Sequence, residues 1–229
     1  PSISRLELAA ICKPAYETGG DYYDFIQIDD HRIAVAIGDV SGKGIQAAFY
    51  MTFTKGILHS LCRETESPAE LLKKANKLFF DNARRGTFIS LIYGIVDVKE
   101  RTFKFARAGH NPIIHVRGSA GNMELLQPNG LGLGLTIDTP FDKNIQETTL
   151  HLSAGDTLVL YTDGIVEALN SAHQFYDTAR LRKQLMKNEG RTAEEILDGI
   201  IYDVEKFAGQ AKQHDDMTIM IIKFNEDNR

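Results

Sequence analysis

Ile33-Ala34-Val35-Ala36-Ile37-Gly38-Asp39-Val40-Ser41-Gly42-Lys43-Gly44 begins with five apolar residues and ends in a glycine-rich turn that holds an aspartate and a lysine. An apolar run without polar alternation predicts a strand over Ile33–Ile37 that is buried on both faces. Ile45–Cys62, which follows, reads as a helix, apolar except where Gln46, Lys55 and His59 interrupt it. Those interruptions argue against a membrane span, which tolerates few such residues over its ~20 positions. Ser67-Pro68-Ala69-Glu70 then has capping-box spacing with proline at the first helical position, so a second helix runs to Ala83.

Upstream, Leu6–Cys12 and Asp21–Ile28 read as strands, the latter closing on the turn-forming Asp29-Asp30. Downstream, Phe88–Val96, Thr102–Arg107 and Ile113–Val116 form a β-rich meander, separated by Asp97-Val98-Lys99-Glu100 and Gly109-His110-Asn111-Pro112. Leu131–Leu135 is interrupted by glycines, while Thr148–Leu152, Thr157–Tyr161 and Met217–Phe224 read as strands. Helices are expected over Asp177–Lys187 and, after the capping box at Thr192–Glu195, over Ala193–Phe207. Strands and helices come in runs rather than in βαβ alternation. The expected class is therefore α+β, with mainly antiparallel sheets and helices packed outside them.

The 229 residues are 43% hydrophobic and 25% charged, a globular composition, and no Pro/Ser/Gly linker divides them, so residues 1–229 are expected to form a single domain. With 26 basic against 31 acidic residues and no basic run, nucleic acid is not an expected partner. Cys12 and Cys62 lack CxxC spacing, which argues against a disulfide framework or a structural zinc and for packing roles in a reducing cytoplasm. The chain starts at Pro1 with no signal-peptide pattern, and it is expected to be a fragment of something longer.

Three of the most apolar strands adjoin carboxylates. Ile33–Ile37 leads into Asp39, Thr157–Tyr161 into Asp163, and Asp215-Asp216 immediately precedes Met217–Phe224. Converging carboxylates repel one another and are costly to desolvate, so such a cluster calls for a cation, most simply a metal ion. The other reading takes Asp39 and Asp163 as helix caps and Asp215-Asp216 as a turn. Capping gives no reason to favour the most buried strands. A phosphate-binding P-loop at Gly38–Lys43 is excluded, because only three residues separate Gly38 from Gly42-Lys43 and no Ser or Thr follows.

Gly19-Gly20-Asp21-Tyr22-Tyr23-Asp24-Phe25, Gly38–Gly44, Ala108-Gly109-His110-Asn111-Pro112, Tyr161-Thr162-Asp163-Gly164 and Asp215-Asp216-Met217-Thr218 occur in this order. Together they resemble the stage II sporulation protein E/RsbU-type branch of the bacterial type 2C, metal-dependent serine/threonine phosphatases. The resemblance implies a four-layer α-β-β-α sandwich, two sheets flanked by helices, with the metals at one end between the sheets. It implies Asp39 as a bridging ligand, Asp21 on one ion, Asp163 and Asp215 on the other, and the Val40 carbonyl as a further ligand; Asp39 and Asp163 stand as the principal catalytic carboxylates. Asp24 and Asp216 match motif positions of lower rank, Asp24 as a residue that orients its neighbours. An all-oxygen set suits two or more Mn²⁺ or Mg²⁺ ions rather than zinc.

The implied reaction is hydrolysis of phosphoserine or phosphothreonine by a water activated between two cations, without a phosphoenzyme. Larger eukaryotic relatives carry a His in the bridging loop and a phosphate-holding Arg near the N-terminus. Here Lys43 occupies that loop and only Lys13 lies near the second place, so neither role transfers. Lys43 reads equally as a phosphate contact or as a solvated loop lysine, and His110 as a structural loop histidine more than as an acid. The implied substrate is a phosphorylated STAS-type anti-sigma-factor antagonist. The implied regulators are an upstream sensor or receiver domain, an activator or homodimerisation. A phosphatase-like scaffold without activity is the competing class, but such domains usually lose ligand carboxylates, and all four principal aspartates are present.

The helix Ile45–Cys62 carries apolar residues on two sides: Ile45, Ala48, Phe49 and Phe53 on one, Ala47, Met51, Leu58 and Leu61 on the other. It is therefore expected to be either core on both sides or covered by a partner on one.

Overall fold

Ile33–Ile37 lies inside a longer strand, Arg32–Val40, so that Asp39 and Val40 belong to the β-ladder rather than to the turn after it. The structure, a computed structural model, describes residues 3–118, 122–188 and 190–226. In chain order the first elements are β1 (Leu6–Lys13), β2 (Asp21–Gln27), β3 (Arg32–Val40), α1 (Ile45–Leu61), α2 (Pro68–Asn82), β4 (Ile89–Asp97), β5 (Thr102–Ala108) and β6 (Ile113–Val116). They are followed by β7 (Met123–Leu126), α3 (Thr139–Asn144), β8 (Glu147–His151), β9 (Thr157–Tyr161), α4 (Asp163–Val166), α5 (Thr178–Lys187), α6 (Ala193–Ala208) and β10 (Met217–Phe224). Two antiparallel five-stranded sheets result, ordered β2-β3-β4-β5-β8 and β1-β10-β9-β6-β7, which is the expected α+β class. Among the described residues no helix is long and apolar enough to cross a membrane.

The chain forms two compact units, the first built on Thr18–His110 and Gln127–Leu152. In it, strand alternation turns Tyr22, Ala34, Ala36, Val40, Leu91 and Tyr93 toward one apolar cluster, which α1 and α2 complete with Ala47, Leu58, Leu61, Leu71, Leu72 and Phe79. The alternate residues Ile33, Val35 and Ile37 are also fully buried, so both faces of β3 are covered, as its unbroken apolar run requires. Ser67 caps α2 by accepting a hydrogen bond from the Glu70 amide, with Pro68 next to it as the spacing predicts. Of the two apolar sides of α1, Ala47, Leu58 and Leu61 are buried, whereas Ile45 and Phe49 are 69% and 72% exposed.

Leu131–Leu135 forms only an isolated bridge, Leu133 to Ile89. The pairing stops there because the next amide, that of Gly134, donates instead to Oδ1 of the buried Asn76, whose Nδ2 donates to the Thr136 carbonyl.

The second unit holds Arg5–Glu17 and the described residues of Asn111–Leu126 and Ser153–Arg229. Its sheet packs Val159, Tyr161, Ile219 and Ile221 against Ile196, Ile200 and Val204 of α6. β7 is not marked by the sequence, since Met-Glu-Leu-Leu is four residues long and has no β-branched or aromatic residue. The capping box of α6 is complete, Thr192 Oγ1 accepting from the Glu195 amide and Glu195 accepting from that of Thr192. Thr192→Ala is expected to cost about 1 kcal/mol and to lower the melting temperature by about 2–4 °C, measured by thermal circular dichroism. An unchanged melting curve would show that the box contributes nothing.

Candidate metal centre

In the first unit β2 and β3 pair so that Asp21 stands directly opposite Asp39, and β3 and β4 pair so that Asp39 stands opposite Ser90. Directly opposed residues share a face, so Asp21, Asp39 and Ser90 form one polar row across the sheet end. It lies on the face away from α1 and α2, because the alternate residues Tyr22, Val40 and Leu91 belong to the cluster those helices complete. Asp21 is only 5% exposed. Like charges placed opposite each other are destabilising, so a cation held at this point would stabilise the pair. Gly20 borders the row: a Cβ built on it would stand 2.9 Å from the Val40 carbonyl oxygen and 3.4 Å from Asp39 Oδ1. Any residue larger than glycine would crowd the two oxygens expected as ligands.

Ser90 is a residue that the motif reading missed, and its signal was a lone serine in the hydrophobic run Phe88–Val96. Its Oγ lies 2.8 Å from Nδ1 of the buried His110, and the His110 carbonyl accepts from the Arg107 guanidinium. His110 thus stands one side chain away from Asp39. Lys43 is exposed on the β3–α1 turn.

Asp24 is on the opposite face of β2 from Asp21, as the odd separation of the two positions dictates for a regular strand. Its Oδ2 accepts from the Tyr22 hydroxyl at 2.9 Å and lies 2.6 Å from His59 Nε2 and 3.5 Å from Lys55 Nζ, so it ties β2 to α1. Burial pushes this carboxyl up. The hydrogen bonds from His59 and Tyr22 and the charge of Lys55 outweigh that and hold it below the usual aspartate range. A lowered native pKa means stability that is present above the unfolded value, about 4, and lost as the pH falls through the native one. Asp24→Asn should therefore cost about 2 kcal/mol at pH 7, and the gap to wild type should close toward pH 3. Urea melts at the two pH values measure this, and an equal gap at both would refute it.

In the second unit, Asp163 opens α4 directly after β9 and Asp215-Asp216 directly precedes β10. The fully buried pair Thr162 and Thr218 clasps the two segments: the Thr162 amide donates to the Thr218 carbonyl, and the Thr218 amide to Thr162 Oγ1, both at 3.0 Å. Gly164 runs so close that a Cβ on it would lie 1.9 Å from the Asp216 carbonyl oxygen. The segments that carry Asp163 and Asp215 are thereby held side by side. Asp216 has its Oδ1 accepting from the Ala15 amide at 2.8 Å, which fastens the segment after β1 to the start of β10. Asp215 Oδ1 accepts from the Asp216 amide, and its carbonyl from Gln213 Nε2.

Among the described residues no group of three or more His, Cys, Asp and Glu side chains is placed to hold a metal ion by itself. Each unit offers carboxylates and backbone carbonyls, an oxygen-only set with neither His nor Cys among the expected ligands. That chemistry fits Mg²⁺ or Mn²⁺, the former commonly held by one or two carboxylates with water filling its shell.

The family model of stage II sporulation protein E (SpoIIE) matches residues 29–225. The chain belongs to the SpoIIE family. It is 31% identical over 223 residues to phosphoserine phosphatase RsbU of Bacillus subtilis, covering 97% of this chain and 64% of RsbU. It spans smaller shares of other relatives, 39% and 42% in two of them. Among solved structures, the type 2C (PP2C) phosphatase domain of SpoIIE with a fragment of its regulatory domain, from Bacillus subtilis, superposes with a TM-score of 0.84 at 21% identity, over 99% of this chain and 65% of that one. The SiaA PP2C domain of Pseudomonas aeruginosa superposes with a TM-score of 0.83 at 20% identity, over 95% and 86%. The SpoIIE-family chain thus has the PP2C fold.

Proposed function

We propose that the chain is a Mg²⁺- or Mn²⁺-dependent phosphatase acting on phosphoserine or phosphothreonine of a regulatory protein. Asp21, Asp39 and the Val40 carbonyl on one hand, Asp163 and Asp215 on the other, are the proposed ligands of two or more ions. The observation that carries the reading is the Asp21–Asp39 pair, two carboxylates set directly opposite each other at the end of the β2–β3 ladder, with Asp21 buried. When bound, the ions supply an activated water and neutralise charge on the phosphoryl oxygens. The chain's own part is to hold these oxygens in place: Ser90 stands beside Asp39 and is itself fixed by His110, which is proposed as structural rather than as the acid. The Thr162–Thr218 clasp does the same for Asp163 and Asp215.

Hydrolysis of p-nitrophenyl phosphate and of a phosphoserine protein, with Mn²⁺ and with EDTA, tests the reading. At least a hundredfold loss in EDTA, restored by Mn²⁺, is expected; metal-independent turnover would overturn it, as would none at all.

A phosphorylated STAS-type anti-sigma-factor antagonist is the substrate proposed, in a cytoplasmic partner-switching circuit, as the family resemblance implies; the likeness to phosphoserine phosphatase RsbU supports a phosphoserine substrate. Activity on free nucleotides or sugar phosphates alone would refute that. Control is proposed to act through α1. Its Ile45, Phe49 and Phe53 side is exposed and its N-terminus follows Asp39 by a short loop, so an upstream sensor or receiver domain, an activator or a second copy that covers this side would shift the Asp39 carboxylate. Equal Mn²⁺ affinity by calorimetry, with and without the upstream region of the full-length protein, would leave α1 as plain scaffold.

A further inference from the structure

The segment Ala83–Phe88, which leaves α2 and enters β4, is fastened at both ends within the first unit. The Arg84 amide donates to the Tyr50 hydroxyl of α1 at 3.0 Å. At the other end Phe88 and Ser41 exchange two hydrogen bonds, Ser41 amide to Phe88 carbonyl and Phe88 amide to Ser41 Oγ, both at 2.9 Å. Ser41 is two residues from Asp39 and Phe88 two from Ser90, so the turn is tied to the same ends of β3 and β4 that carry the polar row.

Phe80, Arg84, Arg85, Thr87, Gly134 and Leu135 line a hollow here of about 540 Å³, with Asp81 also on its lining. Arg84 and Arg85 are exposed, and neither guanidinium forms an ion pair or hydrogen bond among the described residues, with Asp81 or any other group. The apolar side chains are exposed as well, Phe80 by 39% and Leu135 by 55%, with Phe88 beside them at 38%. In a chain of net charge −5, two unpaired guanidinium forks with an apolar border are a local reversal of sign. Guanidinium groups match carboxylates bidentately, and the aromatic border matches apolar side chains.

We infer that this hollow docks the protein substrate: residues flanking the phosphorylated serine, acidic with an apolar neighbour, lie on Arg84 and Arg85 while the phosphate reaches the Asp39 row. The inference rests on the phosphatase reading for its direction. Its charge preference is nevertheless measurable by binding alone.

The test is fluorescence anisotropy, at low salt and without metal, of two phosphoserine peptides, one flanked by Glu and Leu and one by Lys and Leu. Wild type should bind the acidic peptide about tenfold tighter. The double substitution Arg84→Glu/Arg85→Glu should abolish or invert that preference, Arg84→Ala/Arg85→Ala should remove most of it, and Lys99→Glu, an exposed charge change on the β4–β5 turn, should leave it intact. Undiminished preference in the arginine variants, or an equal loss in Lys99→Glu, would overturn the inference. Arginine-dependent binding without hydrolysis of either peptide by the Mn²⁺-loaded protein would uphold the docking surface and overturn the phosphatase reading instead.

Discussion

Asp39→Asn is expected to abolish metal-dependent turnover, by about a thousandfold or more given the size of transition-state stabilisation at such sites, while making the metal-free protein more stable. The two effects have one origin. Asp39 stands opposite Asp21 across the β2–β3 ladder, and relieving a like-charge cross-strand pair is worth about 0.2–1 kcal/mol. Asparagine keeps the shape, so nothing in the neighbouring apolar packing changes. In EDTA the variant should therefore melt at or slightly above wild type. Added Mn²⁺ should reverse the order, since ligand at a hundred times its dissociation constant stabilises the wild type by about 2.7 kcal/mol and a crippled site gains little. Thermal melts of both proteins across a Mn²⁺ titration, with turnover in parallel, measure this. A variant that melts below wild type in EDTA would show that Asp39 is a structural residue, and one that keeps wild-type turnover would remove it from the site.

How far the site was legible depended on which physical constraint each residue obeys. Asp39, Asp163 and Asp215 stood out as candidates because a carboxylate at the end of an apolar strand violates the burial pattern, whereas Asp21 was named by the family resemblance alone. Asp24 shows the limit of motif matching. It sits in the same string as Asp21, yet the period of two puts it on the other face of β2, where it holds α1 through His59 and Lys55. Counting parity along the strand would have separated the two. Ser90 went unnoticed because a single serine in a strand has no local meaning; its meaning comes from register, which sets it opposite Asp39. The capping signals at Ser67 and Thr192 fixed two helix starts because a cap is a local device. The lone Leu133 bridge depends on Ile89, a partner distant in sequence that no local pattern announces, whereas β7 pairs with the preceding strand β6 and escapes notice because it is short and without β-branched residues. α1 combined both cases: its two apolar sides were visible in the sequence, but which of them packs inward was decided only by the sheet beneath it.

The same one-methyl change should have opposite consequences at two glycines. In Gly164→Ala the new Cβ would stand 1.9 Å from the Asp216 carbonyl oxygen, well inside any contact that real atoms make. Neither side can give way cheaply. Asp216 is held by the Ala15 amide on its carboxylate, and the residues beyond it by the Thr162–Thr218 clasp, whose members are fully buried. Something must separate, and the strain expected of such overpacking is about 3 kcal/mol, a fall in melting temperature of roughly 6–12 °C. The separation falls between Asp163 and Asp215, so activity should drop more than the lost folded fraction explains. Gly56, in the middle of α1, has nothing within 4 Å of its would-be Cβ and an ordinary helical backbone. Gly56→Ala should therefore stabilise the protein by up to about 1 kcal/mol through helix propensity and a less flexible unfolded chain. Urea melts of the two variants, with Mn²⁺-dependent turnover measured where each is fully folded, give both signs. A Gly164→Ala protein as stable as wild type would mean that the Asp163 and Asp215 segments are not locked together, and the clasp would lose its role in holding the site.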